Sequence, residues 1–186
     1  LSHVKGQSGR LVLSDWQRIY FANLWGWVSA SDTADERNPV ERYSFSLLEC
    51  GRKNGKSTVI GACVLTTLFL SSEIGQEIYL AANTKEQAGI IFEIVAGMLR
   101  NNPALLAKVK ILDARKRILY PSTNSFIQVL SSDGDVQDGL NASLVVYDEL
   151  AMAPNRKLFD ILKTSQGSRR NPKFLVLSTP GWDRES

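Results

Sequence analysis

Short apolar runs alternate along this chain with longer segments in which apolar residues recur at helical spacing. Runs of strand length cover residues 43–49, expected to be the first central strand, and residues 77–82, 144–149 and 174–177. Helical spacing covers residues 57–70, which are apolar on nearly all sides, and residues 84–100 and 155–164. Strands that alternate with helices predict an α/β fold with a central, mostly parallel sheet and helices on both faces.

Two helix predictions depend on capping residues and on the spacing of apolar side chains. Ser14 or Asp15 can cap a first helix. Its packed face would carry Trp16, Ile19, Tyr20 and Leu24. Thr84 and Gln87 have the spacing of a capping box that opens the helix over residues 84–100. Its buried stripe would comprise Ile90, Ile91, Ile94, Val95, Met98 and Leu99.

Residues 109–143 have a different pattern. Apolar and polar stretches alternate over residues 109–130, with turn residues at 121–124, which predicts added antiparallel or edge strands. The segment SSDGDVQDGLNAS, residues 131–143, is rich in glycine and acidic residues and is predicted to be a loop. Loops of this length on compact domains are often functional.

Residues 47–58, LLECGRKNGKST, form a glycine-containing cationic turn between a strand-like run and a buried helix. Gly55 lets the backbone approach an anion, Lys56 supplies a point charge, and the Ser57 hydroxyl can bind magnesium. The strict phosphate-loop pattern has glycine where this chain has Cys50, so the motif is a deviant Walker A. The alternative is a helix start chosen for capping, but the strand before it and the buried helix after it favour a phosphate loop.

Two adjacent carboxylates, Asp148 and Glu149, end the apolar run LVVYDE at residues 144–149. This is a Walker B pattern. Side chains alternate between the faces of a strand, so Asp148 would support magnesium while Glu149 activates a water molecule. The alternative is a strand that ends in solvent, but the upstream phosphate-loop pattern favours the functional interpretation.

Two further pairs of residues are candidates for nucleotide contacts. Ser178 and Thr179 follow the strand-like run 174–177, where their hydroxyls could bind a γ-phosphate or its water, although a strand-ending turn explains them equally well. Trp16 and Gln17 could meet a nucleotide base, because glutamine offers a donor and an acceptor to adenine. Packing of an amphipathic helix explains the tryptophan at least as well.

Composition restricts the possibilities further. A chain of 186 residues with 44% hydrophobic residues can fill one core, so we expect a single domain over residues 1–186, with a flexible start at residues 1–10. The net charge of +3 argues only weakly for a nucleic-acid partner. Basic residues are concentrated in residues 100–117 and 156–173, although such clusters are most often solvated surfaces.

Cysteine and histidine usage excludes some chemistry. Cys50 and Cys63 lack further ligands at metal spacing and are expected to be small core residues in a reducing compartment. His3 is the only histidine, so histidine-based catalysis is not expected. No signal peptide or membrane span is apparent, which predicts a soluble intracellular protein. The start at leucine and the end just past an apolar run suggest a fragment of a longer protein.

The order of Trp16-Gln17, RKNGKST, ANTKEQAGIIF, QDGLNASLVVYDE and LSTPG resembles the ATPase domain of a tailed-bacteriophage terminase large subunit. The resemblance covers nearly the whole chain and implies a P-loop NTPase fold. It also implies a motor that hydrolyses ATP with Mg²⁺ and moves double-stranded DNA into a capsid. The expected partners are the DNA, bound without sequence preference, the portal protein and the small terminase subunit.

The resemblance also implies a homo-oligomeric ring at work, with a monomer expected in isolation, docked on the procapsid in the host cell cytoplasm. The C-terminal nuclease domain of the family is expected to lie outside these 186 residues. Two alternatives are open: a helicase-like, DNA-dependent ATPase, or a nucleotide-gated assembly module with negligible turnover. Glu149 argues against the module, because a pure binder needs no water-activating carboxylate.

By the same resemblance, Gln17 would read adenine, Arg52 would be the phosphate-loop arginine, and Ser178 and Thr179 would form the coupling motif. The implied catalytic residues are Glu149, Lys56 and Arg52, and the implied magnesium ligands are Ser57 and Asp148. The implied nucleotide contacts are Trp16, Gln17, Arg52, Lys53, Asn54, Gly55, Lys56, Ser57, Thr58, Asp148, Ser178 and Thr179. Family motors also use an arginine from a neighbouring subunit, for which the candidates are Arg115, Arg156, Arg169 and Arg170.

Overall fold

A seven-stranded sheet is the centre of the computed structural model, which describes residues 11–29, 39–51, 53–131, 139–150, 153 and 155–179. The strands are β1 (Phe45–Glu49), β2 (Glu77–Ala82), β3 (Lys110–Leu112), β4 (Arg117–Tyr120), β5 (Ser125–Ser131), β6 (Ala142–Asp148) and β7 (Lys173–Ser178). The helices are α1 (Asp15–Trp25), α2 (Lys56–Leu70), α3 (Lys85–Arg100), the short α4 (Pro103–Leu106) and α5 (Lys157–Thr164).

The strand order is β1-β7-β6-β2-β5-β4-β3. The pairs from β1 to β5 in this order are parallel, whereas β4 pairs antiparallel with β5, and β3 pairs antiparallel with β4. The predicted α/β fold is therefore confirmed, including the antiparallel edge. One part of the region predicted as antiparallel, β5, also belongs to the parallel sheet, because it lies beside β2.

Two hydrophobic clusters cover the two faces of the sheet, as alternation along buried strands requires. On β2, Ile78 and Leu80 join the cluster with α1, α2 and α3, whereas Tyr79 and Ala81 join the cluster with α5. The strands β6 and β7 divide their side chains in the same way. Helices on both faces are thus confirmed, although the second face has only the eight-residue helix α5 among the described residues.

The first strand is an edge strand, so the prediction of a central position for it was wrong. Among the described residues it pairs only with β7, and its Phe45 and Leu47 side chains are exposed. A run of apolar residues indicates that a strand is buried on average. Its position in the sheet depends on which later strands pair with it, and the run itself does not show this. Here β7 lies between β1 and β6, which brings the ends of all three strands together.

Helix faces were predicted only in part. In α1, Ile19 is 62% exposed, and the core contacts come from Leu24 with partly buried Tyr20, Phe21 and Trp25. The predicted face was therefore rotated by about a quarter of a turn, since a helix advances about 100° per residue. In α3, the predicted stripe is buried except for Ile90, which is exposed, and Ile94, which is partly buried.

The predicted capping box at the start of α3 is present only in half. The Thr84 side chain accepts a hydrogen bond from the Gln87 backbone N–H at 3.3 Å, as an N-cap should. No return bond from Gln87 to the cap is present among the described contacts, and the buried Gln87 Oε1 lacks a hydrogen-bond partner there. The helix nevertheless begins at the predicted residue, because the Thr84 cap alone satisfies one of its first N–H groups.

A buried lysine connects α1, β1 and β7 at the amino-terminal edge of the sheet. Lys173 Nζ donates to the carbonyls of Leu24 at 2.9 Å and Tyr43 at 3.0 Å, and it forms an ion pair with Glu41. The lysine side chain is only 4% exposed, whereas that of Glu41 is 23% exposed. Because two carbonyls and a carboxylate depend on one cation, its removal leaves several buried acceptors without a donor.

We expect Lys173→Met to destabilise the chain by about 2 to 3 kcal/mol, since it keeps the apolar stem but leaves those acceptors unpaired. The melting temperature should fall by about 5 to 10 °C in a thermal unfolding experiment. The matched control is Lys163→Met, because Lys163 is exposed and its ammonium only lies over the Phe45 and Phe174 rings. Equal losses in the two variants would contradict a bracing role for Lys173.

Candidate active site

The predicted phosphate loop, the acid pair and the Ser178-Thr179 pair meet at the carboxyl-terminal edge of the parallel sheet. The strand register places Glu49 beside Ser178 and Asp148 beside Leu177, so β1, β7 and β6 end together. Ligands of open α/β sheets bind outside this edge. Three motifs that are far apart in sequence therefore lie around one site.

The loop of residues 50–55, called the phosphate loop below, is shaped by left-handed backbone conformations. Lys53 has φ 66° and Gly55 has φ 76°, and the Asn54 side chain donates to the Gly51 carbonyl at 3.2 Å. Gly55 is the N-cap of α2 without a side-chain cap, so the first N–H groups of this helix are open to an anion. A Cβ on Gly55 would also come within 3.2 Å of Gln17 Nε2. Arg52 lies outside the described residues.

Lys56 ties the phosphate loop to the end of β7. Its ammonium group donates to the Cys50 carbonyl at 3.0 Å, to the Ser178 carbonyl at 2.7 Å and to Thr179 Oγ1 at 2.8 Å. A lysine ammonium has three donors, so all of them are used in this arrangement. The strand after the acid pair and the phosphate loop are thus coupled through one side chain.

Glu149 belongs to the same chain of hydrogen bonds. Thr179 Oγ1 donates to Glu149 Oε1 at 2.8 Å, so the contacts run from Lys56 through Thr179 to Glu149. Glu149 lies just after β6 in a left-handed conformation with φ 53°. The expectation that Asp148 and Glu149 alternate as in a strand was therefore wrong, because the chain leaves strand geometry at Glu149.

The environment of Asp148 fits a residue that would hold a magnesium ion. Burial raises the pKa of Asp148, the negative charge of Glu149 raises it further, and the charge of Lys56 acts in the opposite direction. The positive charge of a divalent cation would favour the ionised carboxylate and so oppose both effects. The described residues contain no cluster of three or more His, Cys, Asp or Glu side chains, and magnesium commonly needs only one or two protein carboxylates.

The residues predicted to flank the nucleotide lie at varied positions. Gln17 is buried next to Gly55, and its Oε1 accepts a hydrogen bond from the Ser14 N–H at 2.9 Å, so its acceptor is engaged at the N-cap of α1. Trp16 is 37% exposed. Ser57 is partly buried in the first turn of α2, whereas Thr58 lines a groove against α3. Their roles toward a nucleotide remain predictions.

One of the four arginine candidates is committed to the fold. Arg169 donates to the carbonyls of Gly75 at 2.6 Å and Asn141 at 2.9 Å, and its guanidinium lies 3.6 Å from the Glu73 carboxylate. These partners precede β2 and β6, at the edge of the sheet opposite the phosphate loop. Arg115, Arg156 and Arg170 are exposed and remain the candidates.

The two cysteines differ. Cys63 is fully buried in α2, and burial raises the pKa of its thiol, which is the behaviour expected of a small core residue. Cys50 is only partly buried, so the prediction that it is a core residue was wrong. It lies at the start of the phosphate loop, where its carbonyl accepts from Lys56.

Sequence reasoning missed Asn83, which follows β2 and donates from Nδ2 to the Glu149 carbonyl at 3.3 Å. Asn83 is a polar residue immediately after a buried strand, and it belongs to the segment ANTKEQAGIIF, but neither signal assigned it a role. These signals gained meaning only because β2 pairs with β6 in a register that carries Asn83 toward Glu149.

Three features define the class of P-loop NTPases: a phosphate loop between an edge strand and a buried helix, an acid pair at the end of the strand two positions away from that edge strand, and a mostly parallel sheet. Residues 15–186 match the family model for the ATPase domain of the terminase large subunit, and the chain belongs to this family. The family predicted from the sequence is therefore confirmed. No helix in the described part of the chain has the length and hydropathy needed to cross a bilayer.

Individual relatives agree with the family match. The terminase large subunit of Enterobacteria phage HK97 is 31% identical over 137 residues, which are 72% of this chain and 27% of that protein. The crystal structure of the HK97 large terminase aligns with a TM-score of 0.76 at 27% identity, covering 94% of this chain and 34% of that one. The ATPase domain of the Thermus phage P74-26 large terminase shares the fold, with a TM-score of 0.63 at 24% identity over 92% of this chain and 71% of that one. The chain thus spans well under half of the HK97 protein.

Proposed function

We propose that this chain is the ATP-hydrolysing motor domain of a viral DNA-packaging terminase. The observation that carries the proposal is the hydrogen-bond chain from Lys56 through Thr179 to Glu149, because it joins the three sequence motifs at one edge of the sheet. A large terminase of a thermophilic bacteriophage, 17% identical in sequence, has been crystallised with ATP-gamma-S, and the same protein with ADP. The fold shared with that protein supports a nucleotide site here.

In the proposed mechanism the phosphate loop and the open N–H groups at the start of α2 hold the phosphates, and Lys56 neutralises their charge. Ser57 and Asp148 would hold Mg²⁺, which when bound supplies charge neutralisation at the phosphate oxygens. Arg52 would add a second positive charge near the phosphates, while Gln17 and Trp16 would contact the base. Lys53, Asn54 and Thr58 would contribute contacts along the loop and the first helical turn.

Glu149 would orient the attacking water and accept its proton, since a carboxylate at this position can act as a general base. Thr179 holds one oxygen of that carboxylate and is itself held by Lys56. A γ-phosphate that attracts Lys56 would therefore change the contacts of Thr179 and, through it, of Glu149. This makes Ser178 and Thr179 the proposed link between nucleotide state and movement of the chain.

The proposed partners follow from family membership. They are double-stranded DNA, the portal protein and the small terminase subunit, with the motor working as a homo-oligomeric ring at the procapsid in the host cytoplasm. Family membership also supports an arginine that a neighbouring subunit supplies to complete the site. Arg115, Arg156 and Arg170 are the proposed sources of that arginine.

The proposal is tested by magnesium-dependent ATP hydrolysis of the purified chain over a range of protein concentrations, with Lys56→Ala as the background control. We expect turnover that needs Lys56 and a specific activity that rises with concentration as neighbours complete the site. Nucleotide binding without turnover at any concentration would contradict the motor and favour the nucleotide-gated assembly module. DNA-stimulated turnover accompanied by strand separation would favour the helicase alternative.

Only part of the first basic cluster is available to DNA. Arg100 is paired with Asp113, and Lys116 is paired with Glu93, so these charges are already compensated. Lys108, Lys110 and Arg115 are exposed, and no ion pair among the described residues involves them. These three residues are therefore the part of the cluster that we propose to contact DNA phosphates.

Changing Lys108, Lys110 and Arg115 together to glutamine should reduce the salt dependence of duplex binding. Each lost phosphate contact removes about 0.9 from the slope of log K against log salt, so the slope should become shallower by about 2 to 3. The measurement is fluorescence anisotropy with a labelled duplex over a salt series. A triple glutamine variant of exposed Lys85, Lys157 and Lys163 removes equal charge from α3 and α5 and should keep the slope. If only this control variant changed the slope, the DNA path would lie at those residues.

A further inference from the structure

The backbone of Glu149 is held in an uncommon conformation from both sides. Its φ of 53° places a non-glycine residue in the left-handed region, which the surrounding structure must stabilise. On the β7 side, the Glu149 N–H donates to the Leu177 carbonyl at 3.0 Å. On the β2 side, the Glu149 carbonyl accepts from Asn83 Nδ2 at 3.3 Å. The peptide groups before and after this residue are therefore each tied to a neighbouring strand end.

These contacts are distinct from the one that Thr179 makes. Thr179 holds the Glu149 carboxylate, whereas Asn83 holds only the backbone and no described contact joins it to the carboxylate. The backbone conformation of Glu149 determines the direction in which its side chain leaves the Cα. A change in φ at Glu149 would therefore move the carboxylate oxygens even if Thr179 did not move. The orientation of the Glu149 carboxylate thus depends on the Glu149 backbone as well as on the Thr179 hydroxyl.

The Asn83 amide is not explained by the fold alone. Its Oδ1 is buried and has no hydrogen-bond partner among the described residues, so half of the amide is left unsatisfied. An unsatisfied buried acceptor lowers stability, and an apolar side chain would avoid that loss. The bond from Nδ2 to Glu149 is the contribution that an apolar residue could not make.

We infer that Asn83 is a positioning residue for the hydrolytic reaction, which fixes the left-handed backbone of Glu149 so that its carboxylate faces the attacking water. The inference rests on the proposed function for the role of Glu149, whereas the contact itself is observed between Asn83 and the Glu149 carbonyl. Asn83 acts through Glu149, so the affinity for ATP should not depend on it. The alternative is a direct contact between Asn83 Oδ1 and the nucleotide, which would alter affinity.

The first test compares Asn83→Ala with the wild-type chain in steady-state hydrolysis and in binding of a fluorescent ATP analogue. We expect kcat to fall about tenfold, the effect of one lost hydrogen bond in the transition state, with KM and Kd changed less than about twofold. In a Glu149→Gln background, Asn83→Ala should change the residual rate by less than about twofold, because residues that act as a unit are not additive. A tenfold loss that persists in that background, or a raised Kd with unchanged kcat, would overturn the inference.

The second test needs no nucleotide. Amide hydrogen exchange at Glu149 should become about tenfold faster in Asn83→Ala, while the amides within β6 keep their protection. The matched control is Asn102→Ala, which removes the N-cap of α4 and should change neither kcat nor exchange at Glu149. Unchanged exchange at Glu149 in Asn83→Ala would overturn the inference. Absence of Lys56-dependent turnover in the wild-type chain would instead contradict the proposed function, and the exchange experiment would still decide whether Asn83 holds Glu149.

Discussion

Lys56→Ala is expected to lower the rate of ATP hydrolysis about a thousandfold and to weaken ATP binding as well. The first cause is the loss of a positive charge from the place where the phosphates are proposed to bind, which acts on the ground state and on the transition state. The second cause is structural, because the variant also loses the bonds to Cys50, Ser178 and Thr179 that hold the phosphate loop against β7. Steady-state hydrolysis and binding of a fluorescent ATP analogue measure the two effects separately.

Lys85→Ala is the matched control for this variant. Lys85 is exposed at the first position of α3, so its removal changes the net charge equally without touching the phosphate loop. Its hydrolysis rate should stay within about twofold of the wild type, as expected for an exposed surface substitution. A Lys56→Ala chain that kept a tenth or more of the wild-type rate would show that the phosphates are bound elsewhere.

The motif predicted the identity of Lys56 but not the contacts that it makes. Residue types and spacing in the phosphate loop identify a cationic turn before a buried helix, which is local information. The Thr179 hydroxyl comes within reach of Lys56 only because β7 inserts between β1 and β6. Strand order is decided by tertiary packing, and the same hydrophobic runs are compatible with several orders. The site was therefore predictable as a set of motifs, and its hydrogen-bond chain was not.

The same limit explains the errors in packing. The run before the phosphate loop is apolar, so it was predicted to be central, but its outer edge has no partner strand in the described chain. Ile19 and Ile90 fit helical spacing, yet both are exposed, because the width of the packed face depends on which elements lie opposite. Long helices with strong periodicity, such as α2 and α3, were predicted to within one residue at each end.

The pattern of charged residues in the sequence was the weakest guide to their roles in the structure. Arg100 and Lys116 counted toward a basic cluster in sequence, but Asp113 and Glu93 compensate them across elements. Arg169 was a candidate for action on a neighbouring subunit, whereas it holds the carbonyls before β2 and β6. In each case the partner belongs to another segment of the chain, at least 13 residues away, so composition could not separate structural charges from those free to bind.

Glu149→Gln should reduce hydrolysis about a thousandfold while leaving ATP binding nearly unchanged. Glutamine has the same shape, and its Oε1 can still accept from the Thr179 hydroxyl, which lies 2.8 Å from Glu149 Oε1. An amide cannot accept the proton of the attacking water, so the variant loses general-base chemistry without losing geometry. The measurements are the single-turnover rate and the Kd for a fluorescent ATP analogue. Only Lys56→Ala should change both.

The matched control is Glu86→Gln, which removes an exposed carboxylate from the first turn of α3 and should leave the rate within about twofold. A Glu149→Gln chain with wild-type turnover would place water activation at another residue. A chain that lost ATP binding would mean that Glu149 supports the nucleotide directly. Glu149→Gln is expected to hold ATP without cleaving it, so this variant also separates the motor from the assembly module. An assembly module would form its ATP-dependent contacts normally, whereas a motor would bind DNA and fail to move it.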